Sequence, residues 1–507
     1  MIFPRACGVL LHPTCLPGPF GVGDLGPAAH RYVDWLAEAG ASWWQVLPLQ
    51  STGHGDSPYA AVSSFDGNPL LISPEELVAD GLLEPGDLPR EPFPEGRVDF
   101  GRVIDAKERL MTIAFRRFRA RPPDGLEARY EAFRAENSGW LLDDALFAAL
   151  KAAHGGAPWT EWPEPLAQRD PRALSRWRAE HCERVDAEEF AQFLFARQWS
   201  ALRERARARG LSIMGDVPMF VAYDSADVWA QREWFLLDAK GRPKAVAGVP
   251  PDYFSEDGQL WGNPVYDWAA LAASNFRWWL DRLARVLALT DAARLDHFRG
   301  FAEYWAVPPG DETARHGRWE PALGRELLAA ALERFGVLPF VAEDLGHITP
   351  DVTRLRHDFE LPGMAILQFA FDPDARGSFL PYNHRRDLVV YTGTHDNNTT
   401  RGWLEEDASA AEQAFFRRYA GCDGHEPHWA MIRLALASVA DLAIVPHQDI
   451  AGLDSAARMN APGTSHSNWG WRLLPAQLDA AAQARFRALA ETYGRLPENP
   501  PNGDDVA

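Results

Sequence analysis

The chain has 507 residues, 46% of them hydrophobic and 24% charged, which is the composition of a folded globular protein and excludes disorder for most of its length. Lys and Arg number 51 against 71 Asp and Glu, and the resulting net charge of −20 opposes binding to nucleic acid or an anionic membrane. The first residues carry no signal-peptide pattern, no apolar run is long enough to span a membrane, and the four cysteines lie far apart, so we expect a cytoplasmic protein with four buried, reduced thiols.

Eight short apolar runs recur from end to end, each followed by residues at helical spacing. The first helix is predicted over 28–39, where Val33 and Leu36 share a face and Gly40 supplies a stop. The strands are predicted at 7–11, 43–49, 211–217, 292–295, 338–342, 365–371, 388–392 and 442–445. Eight strands alternating with helices predict an α/β fold, a closed (β/α)8 TIM barrel.

The barrel is predicted to carry two insertions within a single decorated catalytic unit over 1–507. Residues 74–209 are rich in Ala, Leu, Arg and Glu with helical periodicity, which predicts an inserted, mainly helical subdomain. Residues 218–276 are rich in Asp, Gly, Pro and Trp, which indicates a second insertion of long loops over the active face. Too few residues follow Asp449 for a C-terminal β-sandwich, which takes about 100, and 497–507 is predicted to be a frayed tail.

Carboxylates follow three of the predicted strands, at the end of a barrel where catalytic groups collect. Arg294 and Asp296 are two apart and share a face, so the guanidinium keeps the carboxylate ionised, as a nucleophile must be. Glu343 follows a buried run, and burial raises a carboxyl pKa, which suits a general acid. His395 and Asp396 offer an imidazole and a carboxylate that can hold ring hydroxyls and stabilise an oxocarbenium-like centre.

Each of these motifs also has a structural interpretation. Arg294 and Asp296 can form an ion pair without a catalytic role. The segment around Glu343, taken alone, favours neither a catalytic nor a structural role. His395 and Asp396 can cap a loop. His297 and His395 are residue types that can bind a metal, which makes a metal site an alternative. The chain has no set of ligands at short spacing, so we expect neither a metal nor another cofactor. The 20 tryptophans favour sugar stacking as a group, although most single tryptophans serve packing.

Several segments together resemble the 4-α-glucanotransferases called amylomaltase or disproportionating enzyme, a barrel family related to the α-amylases. The resemblance covers nearly the whole chain, and its most specific segment, 251–264, reads PDYFSEDGQLWGNP. Cys15 stands where Ser is usual, and Asn398, Ala451 and Ala456 are further departures beside the motifs. The other matching segments are 10–14, 16–26, 57–59, 67–72, 215–218, 448–449, 457–460 and 468–472.

The resemblance implies roles for individual residues. Asp296 is expected to be the nucleophile, Glu343 the acid/base and Asp396 the transition-state stabiliser. The other residues expected to contact substrate are Tyr59, Asp216, Arg294 and His395 in the cleaved-bond subsite, Gln259 and Trp261 in a loop over the acceptor side, and Asn263 and Asn468.

The expected activity is transfer of a segment of an α-1,4-glucan or maltooligosaccharide to the 4-hydroxyl of glucose or another maltooligosaccharide. The expected mechanism is a retaining double displacement through a covalent glycosyl-enzyme. A retaining α-glucan hydrolase with the same three carboxylates stays open as an alternative, and so does a non-catalytic glucan-binding protein.

Overall fold

A computed structural model describes residues 3–251, 256–373, 377, 379–464 and 467–497. Within these residues the strands are β1 (Ala6–Leu10), β2 (Trp43–Gln45), β3 (Ser212–Val217), β4 (Val246–Val249), β5 (Gln259–Pro264), β6 (Ala292–Leu295), β7 (Glu303–Val307), β8 (Arg318–Pro321), β9 (Phe340–Ala342), β10 (Gly363–Ile366), β11 (Leu388–Tyr391) and β12 (Leu442–Pro446).

The α-helices of the same residues are α1 (Pro27–Glu38), α2 (Pro74–Ala79), α3 (Phe100–Ala120), α4 (Leu126–Glu136), α5 (Leu141–Ala153), α6 (Glu164–Ala167), α7 (Pro171–Glu180), α8 (Cys182–Ala208), α9 (Ala226–Ala230), α10 (Trp268–Ala273), α11 (Arg277–Leu289), α12 (Gly324–Phe335), α13 (Pro350–Asp358), α14 (Thr400–Gly402), α15 (Ala410–Ala420), α16 (Pro427–Ala437), α17 (His447–Ile450) and α18 (Ala480–Thr492).

Eight parallel strands form the barrel in the order β10-β11-β12-β1-β2-β3-β6-β9. The Ala342 N–H at the end of β9 donates to the Pro362 carbonyl just before β10, at 2.8 Å, and so links the two outer strands. Every residue of β1, β6, β9, β10 and β12 is buried, as expected for parallel strands covered on both faces. The predicted TIM barrel and its eight strands are confirmed.

Two predicted strands have markedly different limits in the structure, whereas the other six agree to within two residues at each end. The second, predicted at 43–49, ends at Gln45, and the sixth, predicted at 365–371, spans Gly363–Ile366 and passes into a 3-10 turn at Leu367–Phe369. Except for the exposed Phe369, the apolar residues beyond each strand are buried in the core although they lie outside the strands. An apolar run indicates that a segment is buried, but both strands and turns can be buried. Strand length predicted from such a run is therefore too long.

A second sheet lies over the barrel end and is antiparallel, in the order β5-β4-β7-β8. Its first two strands fall inside the predicted insertion at 218–276, which also contains α9 and α10 and is therefore less irregular than its composition indicates. Its other two strands, β7 and β8, follow β6 in the chain and end at Pro321. They belong to the same sheet because Gly248 of β4 pairs with Trp305 of β7. The second sheet therefore includes residues that lie outside 218–276.

Residues 74–209 contain helices α2 to α8, and the 27-residue helix α8 contacts α3, α4 and α5. Aromatic packing joins these helices, with Phe118 of α3 stacked on Phe190 of α8 at 4.3 Å between ring centroids. The division of the chain into a barrel and inserted units stays a prediction. Of the predicted tail at 497–507, all but Pro497 lies outside the described residues.

The sequence predicts four buried thiols, and this prediction is wrong for two of them. Cys7 and Cys15 are buried in the barrel, Cys422 is partly buried, and Cys182 is exposed at the start of α8, where the helix faces solvent. Across the described residues, none of the helices combines the length and apolarity needed to cross a bilayer. Beyond β12, the helices of the described residues are α17 and α18, and no strand follows there.

Candidate functional site

The predicted site residues gather at the carboxyl end of the barrel. Asp216 is in β3 and pairs in register with Arg294 of β6. Asp296 follows β6 directly, Glu343 follows β9, and Asp396 follows β11 after a short turn. The parallel arrangement brings these strand ends to one rim, which is where barrels carry their active sites.

Arg294 binds two carboxylates at once. Its Nη1 atom lies 2.7 Å from Asp216 Oδ2, and its Nη2 atom lies 2.5 Å from Asp296 Oδ1. The side chains of Arg294 and Asp216 are 5% and 0% exposed, whereas that of Asp296 is 27% exposed and faces the cleft. Burial lowers the pKa of Arg294, but the charges of Asp216 and Asp296 outweigh it and hold the pKa well above its ordinary value. The guanidinium is therefore a permanent positive charge beside Asp296.

Tyr59 forms an aromatic wall next to this ion-pair network. Its hydroxyl donates to Asp216 Oδ2 at 2.7 Å, and its ring stacks on the His395 imidazole with centroids 4.9 Å apart and planes 17° apart. Trp469 lies behind both rings, at 5.9 Å from Tyr59 and 6.0 Å from His395. Three stacked or tilted rings beside charged groups make a surface suited to the apolar face of a sugar.

Glu343 is held in place by backbone donors. The His297 N–H donates to its Oε2 at 2.8 Å, and the Leu345 N–H donates to its Oε1 at 3.0 Å. Removal from solvent raises the pKa of the Glu343 carboxyl to about 8, because burial outweighs the nearby Arg294 charge and the two hydrogen bonds. The side chain is therefore protonated at neutral pH and has a proton to give.

Asp396 has the opposite protonation preference. His395 Nε2 lies 3.3 Å from its Oδ2, and Asn460 donates from Nδ2 to its Oδ1 at 2.6 Å. Burial raises its pKa, but the charge of His395 and these hydrogen bonds together hold the pKa well below its usual range. The Asp396 carboxylate is thus ionised, and its side chain is 42% exposed to solvent. Arg458 fixes the same residue by donating to its carbonyl oxygen at 2.7 Å.

The residues expected on the acceptor side lie in β5. Trp261 is 38% exposed, donates from Nε1 to Gln259 Oε1 at 3.1 Å, and places its ring against the His297 ring with centroids 4.8 Å apart. Asn263 is half-buried, and its Nδ2 donates to the Val221 carbonyl at 2.8 Å, which ties β5 to the loop after β3. The preceding motif residues, 252–255, lie outside the described residues.

Asn468 holds its own loop in this structure. Its Oδ1 accepts from the Ala461 N–H at 3.0 Å, and its Nδ2 donates to the Thr464 carbonyl at 3.0 Å. Its predicted contact with substrate stays a prediction. The tryptophans differ in burial: Trp159, Trp162 and Trp403 are buried, whereas Trp261 is exposed.

Four residues of the site lie outside the set predicted from the sequence: His297, Arg458, Asn460 and Trp469. Asn460 and Trp469 lie within segments that carry the family resemblance, but the sequence does not show which residues their side chains contact. His297 and Trp469 have positive φ values, 48° and 61°, which non-glycine residues adopt rarely and often at functional sites. Backbone conformation of this kind leaves no signature in a single sequence.

Within the described residues, no group of three or more His, Cys, Asp and Glu side chains is placed to hold a metal ion. The site brings together carboxylates, the guanidinium groups of Arg294 and Arg458, imidazoles, side-chain amides and aromatic rings.

Comparison with known proteins identifies the family. The model of the 4-alpha-glucanotransferase family matches residues 11–477. The 4-alpha-glucanotransferase of Thermus thermophilus is 50% identical over 508 residues, covering 98% of this chain and 100% of the relative. The chain belongs to the 4-alpha-glucanotransferase family. A relative of the same name from Synechocystis sp. is 48% identical over 500 residues, covering 98% of this chain and 99% of its own.

Solved structures agree with this assignment. Amylomaltase from Streptococcus agalactiae in complex with acarbose has a TM-score of 0.94 and 35% identity, covering 97% of this chain and 100% of that one. Amylomaltase from Corynebacterium glutamicum, at 20% identity and a TM-score of 0.76, shares the fold over 96% of this chain and 75% of its own. The predicted family, barrel fold and 4-alpha-glucanotransferase activity are confirmed.

Proposed function

We propose that the chain transfers α-1,4-glucan segments by a retaining double displacement. Asp296 attacks the anomeric carbon of the donor, and Glu343 protonates the leaving oxygen, which gives a covalent glycosyl-enzyme. The single observation that carries this proposal is the contrast between two neighbouring strand ends: Asp296 is paired with Arg294, and Glu343 has a pKa of about 8. The first step requires a carboxylate as the nucleophile and a protonated carboxyl group as the acid.

Asp396 is the proposed stabiliser of the positively charged transition state. Its carboxylate is ionised and open to the cleft, and it lies beside His395, whose ring is stacked on Tyr59. Asp216 and Arg294 complete the proposed subsite for the sugar whose bond is cleaved. Negative charge near a developing oxocarbenium centre lowers the barrier, and the aromatic wall orients the ring.

The second step decides between transfer and hydrolysis. A sugar 4-hydroxyl or a water molecule attacks the glycosyl-enzyme, and Glu343, now a carboxylate, accepts the proton. Trp261 and Gln259 lie on an exposed strand beside His297, and we propose that they bind the acceptor glucan. A bound acceptor supplies a high local concentration of hydroxyl and displaces water, which favours transfer.

The proposed donors are α-1,4-glucans and maltooligosaccharides, and the proposed acceptors are glucose and maltooligosaccharides. No nucleic acid or membrane partner is proposed. The S. agalactiae amylomaltase binds acarbose, and we propose that the same cleft binds it here, which makes acarbose a useful binding probe.

Incubation with maltotriose tests the activity. We expect glucose together with a ladder of longer maltooligosaccharides and no net increase in reducing ends, measured by chromatography and a reducing-sugar assay. Shorter products with reducing-end growth would indicate a hydrolase, and unchanged maltotriose with acarbose binding would indicate a glucan-binding protein. Retaining chemistry also requires Asp296 and Glu343 carboxyl groups about 5–5.5 Å apart, and a separation beyond about 8 Å in a crystal structure would contradict it.

A cytoplasmic location is proposed as well. Cys7 and Cys15 are buried as thiols, a state that a reducing compartment preserves. Fractionation of the source cells, with activity followed in each fraction, tests it.

A further inference from the structure

His297 occupies a strained position between the proposed nucleophile and the rest of the loop after β6. Its φ and ψ angles are 48° and 53°, in the left-handed region that side chains other than Gly, Asn and Asp rarely adopt. Such a conformation persists where the surrounding structure holds it. The conformation allows the backbone and the ring of His297 to face two different parts of the site.

The backbone of this loop holds the proposed acid/base. The His297 N–H donates to Glu343 Oε2 at 2.8 Å, and the next N–H, of Phe298, donates to the Glu343 carbonyl at 3.2 Å. A change in the orientation of the His297 peptide therefore changes the position of the Glu343 carboxyl.

The side chain of His297 contacts the proposed acceptor side. Its ring meets the Trp261 ring edge to face, at 4.8 Å and 85°, and Trp261 packs in turn against Phe220 at 6.2 Å. The His297 Nε2 atom is shielded from solvent and has no hydrogen-bond partner. Burial lowers the pKa of this imidazole to about 4, so the ring is neutral and transfers no proton at neutral pH. His297 can therefore influence the reaction only through its contacts with neighbouring residues.

We propose that His297 is a positioning residue that links Trp261 to Glu343, so that a sugar bound at Trp261 sets the carboxyl for reaction with that sugar. The inference rests on the proposed function of the same site. In the second step the acceptor 4-oxygen bonds to the anomeric carbon, and the bond from that carbon to Asp296 breaks with its electron pair returning to Asp296. The hydroxyl proton goes to Glu343. Water undergoes the same step, so a Glu343 carboxylate that is better aligned when a sugar is bound favours transfer over hydrolysis.

The variant His297→Asn removes the ring and keeps a residue that tolerates the left-handed conformation. We expect the KM for glucose as acceptor to rise about tenfold and the hydrolysed share of maltotriose to rise by a similar factor, because a misplaced base loses its alignment with the sugar. Formation of the glycosyl-enzyme should change less. His297→Gly, which adopts the same backbone without strain, serves as the second variant if the first does not fold.

A double-mutant cycle with Trp261→Leu separates coupling from general damage. If His297 acts through Trp261, each single variant weakens acceptor use and the double variant is no worse than the poorer single one. His425→Asn, an exposed histidine in the loop between α15 and α16, is the matched control and should resemble the wild type.

The inference is overturned if His297→Asn keeps the wild-type acceptor KM and hydrolysed share, or if the two substitutions act additively. It is also overturned if transfer and hydrolysis fall by the same factor, because that result indicates a structural role alone. A wild-type protein that only hydrolyses maltotriose, or leaves it unchanged, contradicts the proposed function instead, so the two failures are distinguishable.

Discussion

The Nη1 atom of Arg294 lies 2.7 Å from Oδ2 of Asp216, and both side chains are almost completely removed from solvent. Burial raises the pKa of the Asp216 carboxyl, and the Arg294 charge opposes this, so the carboxylate depends on its partner. The second Nη atom is bound to Asp296, which makes one guanidinium responsible for both the buried and the cleft-facing carboxylate.

Replacing Arg294 by Met should destabilise the protein, because Asp216 is left buried without a countercharge. Breaking a buried pair typically costs about 3–5 kcal/mol in the free energy of unfolding. Urea denaturation followed by fluorescence measures the loss. The double variant with Asp216→Asn should recover part of it, and a single variant as stable as the wild type would contradict the interpretation.

Asp296→Asn and Glu343→Gln should each lower the rate of maltotriose disproportionation, roughly 10⁴-fold or more for the nucleophile, because no other group forms the glycosyl-enzyme. Both substitutions are nearly isosteric, so the fold should be kept. Acarbose binding by calorimetry is the control that is independent of turnover. Near-normal disproportionation by the Asp296 variant would disprove its proposed role.

The pH dependence of activity should show an alkaline limb near pH 8. Glu343 must be protonated to donate to the leaving oxygen, and its pKa is about 8, so kcat/KM for maltotriose should fall as the pH rises through that value. A profile that is flat from pH 7 to pH 10 is incompatible with Glu343 as the acid.

The same group predicts a pH-dependent stability. The pKa of Glu343 is raised from 4.5 to about 8 on folding, so the folded state binds the additional proton between these values and stability falls as the pH rises through them. Glu343→Gln stays neutral throughout. Its Tm relative to the wild type should therefore rise between pH 5 and pH 8 and level off above, by on the order of 3–4 °C. A constant difference across this range would count against the raised pKa.

Tyr59→Phe should separate the two contacts of Tyr59. The variant keeps the ring that stacks on His395 and loses the hydroxyl that donates to Asp216. We expect kcat/KM to fall about tenfold for Tyr59→Phe and about 10²-fold or more for Tyr59→Ala, which loses the stacking as well. Equal losses in the two variants would show that the ring contributes nothing beyond its hydroxyl.

Asn460→Ala removes the 2.6 Å hydrogen bond to Asp396 Oδ1. Since this bond favours the ionised carboxylate, its loss should raise the pKa of Asp396 toward the usual value and move the acid limb of the kcat/KM profile to higher pH. The limb is measured from about pH 3 to pH 6. Asn383→Ala, an exposed asparagine whose amide donates to the Gly377 carbonyl, is the matched control and should leave the limb in place.

Local sequence alone accounts for the barrel and for the three carboxylates. Short segments of sequence show both the repeated strands and the polar residues that follow their apolar runs. Asp296, Glu343 and Asp396 can therefore be predicted without knowledge of any tertiary contact. The family resemblance came from other segments, such as 251–264, and assigned these three carboxylates their roles. Strand lengths at 43–49 and 365–371 were overestimated because local hydrophobicity does not distinguish a strand from a buried turn.

Tertiary structure decided what surrounds these groups. Burial gives Glu343 its raised pKa, and Asn460, which is 64 positions from Asp396 in the chain, supplies a hydrogen bond that no local pattern announces. The left-handed conformation of His297, and its contact with Trp261 across two strands, likewise depend on packing. The sequence determined which chemical groups reach the rim of the barrel, and the fold determined their charge states and neighbours, because desolvation and side-chain contact arise only when distant segments meet.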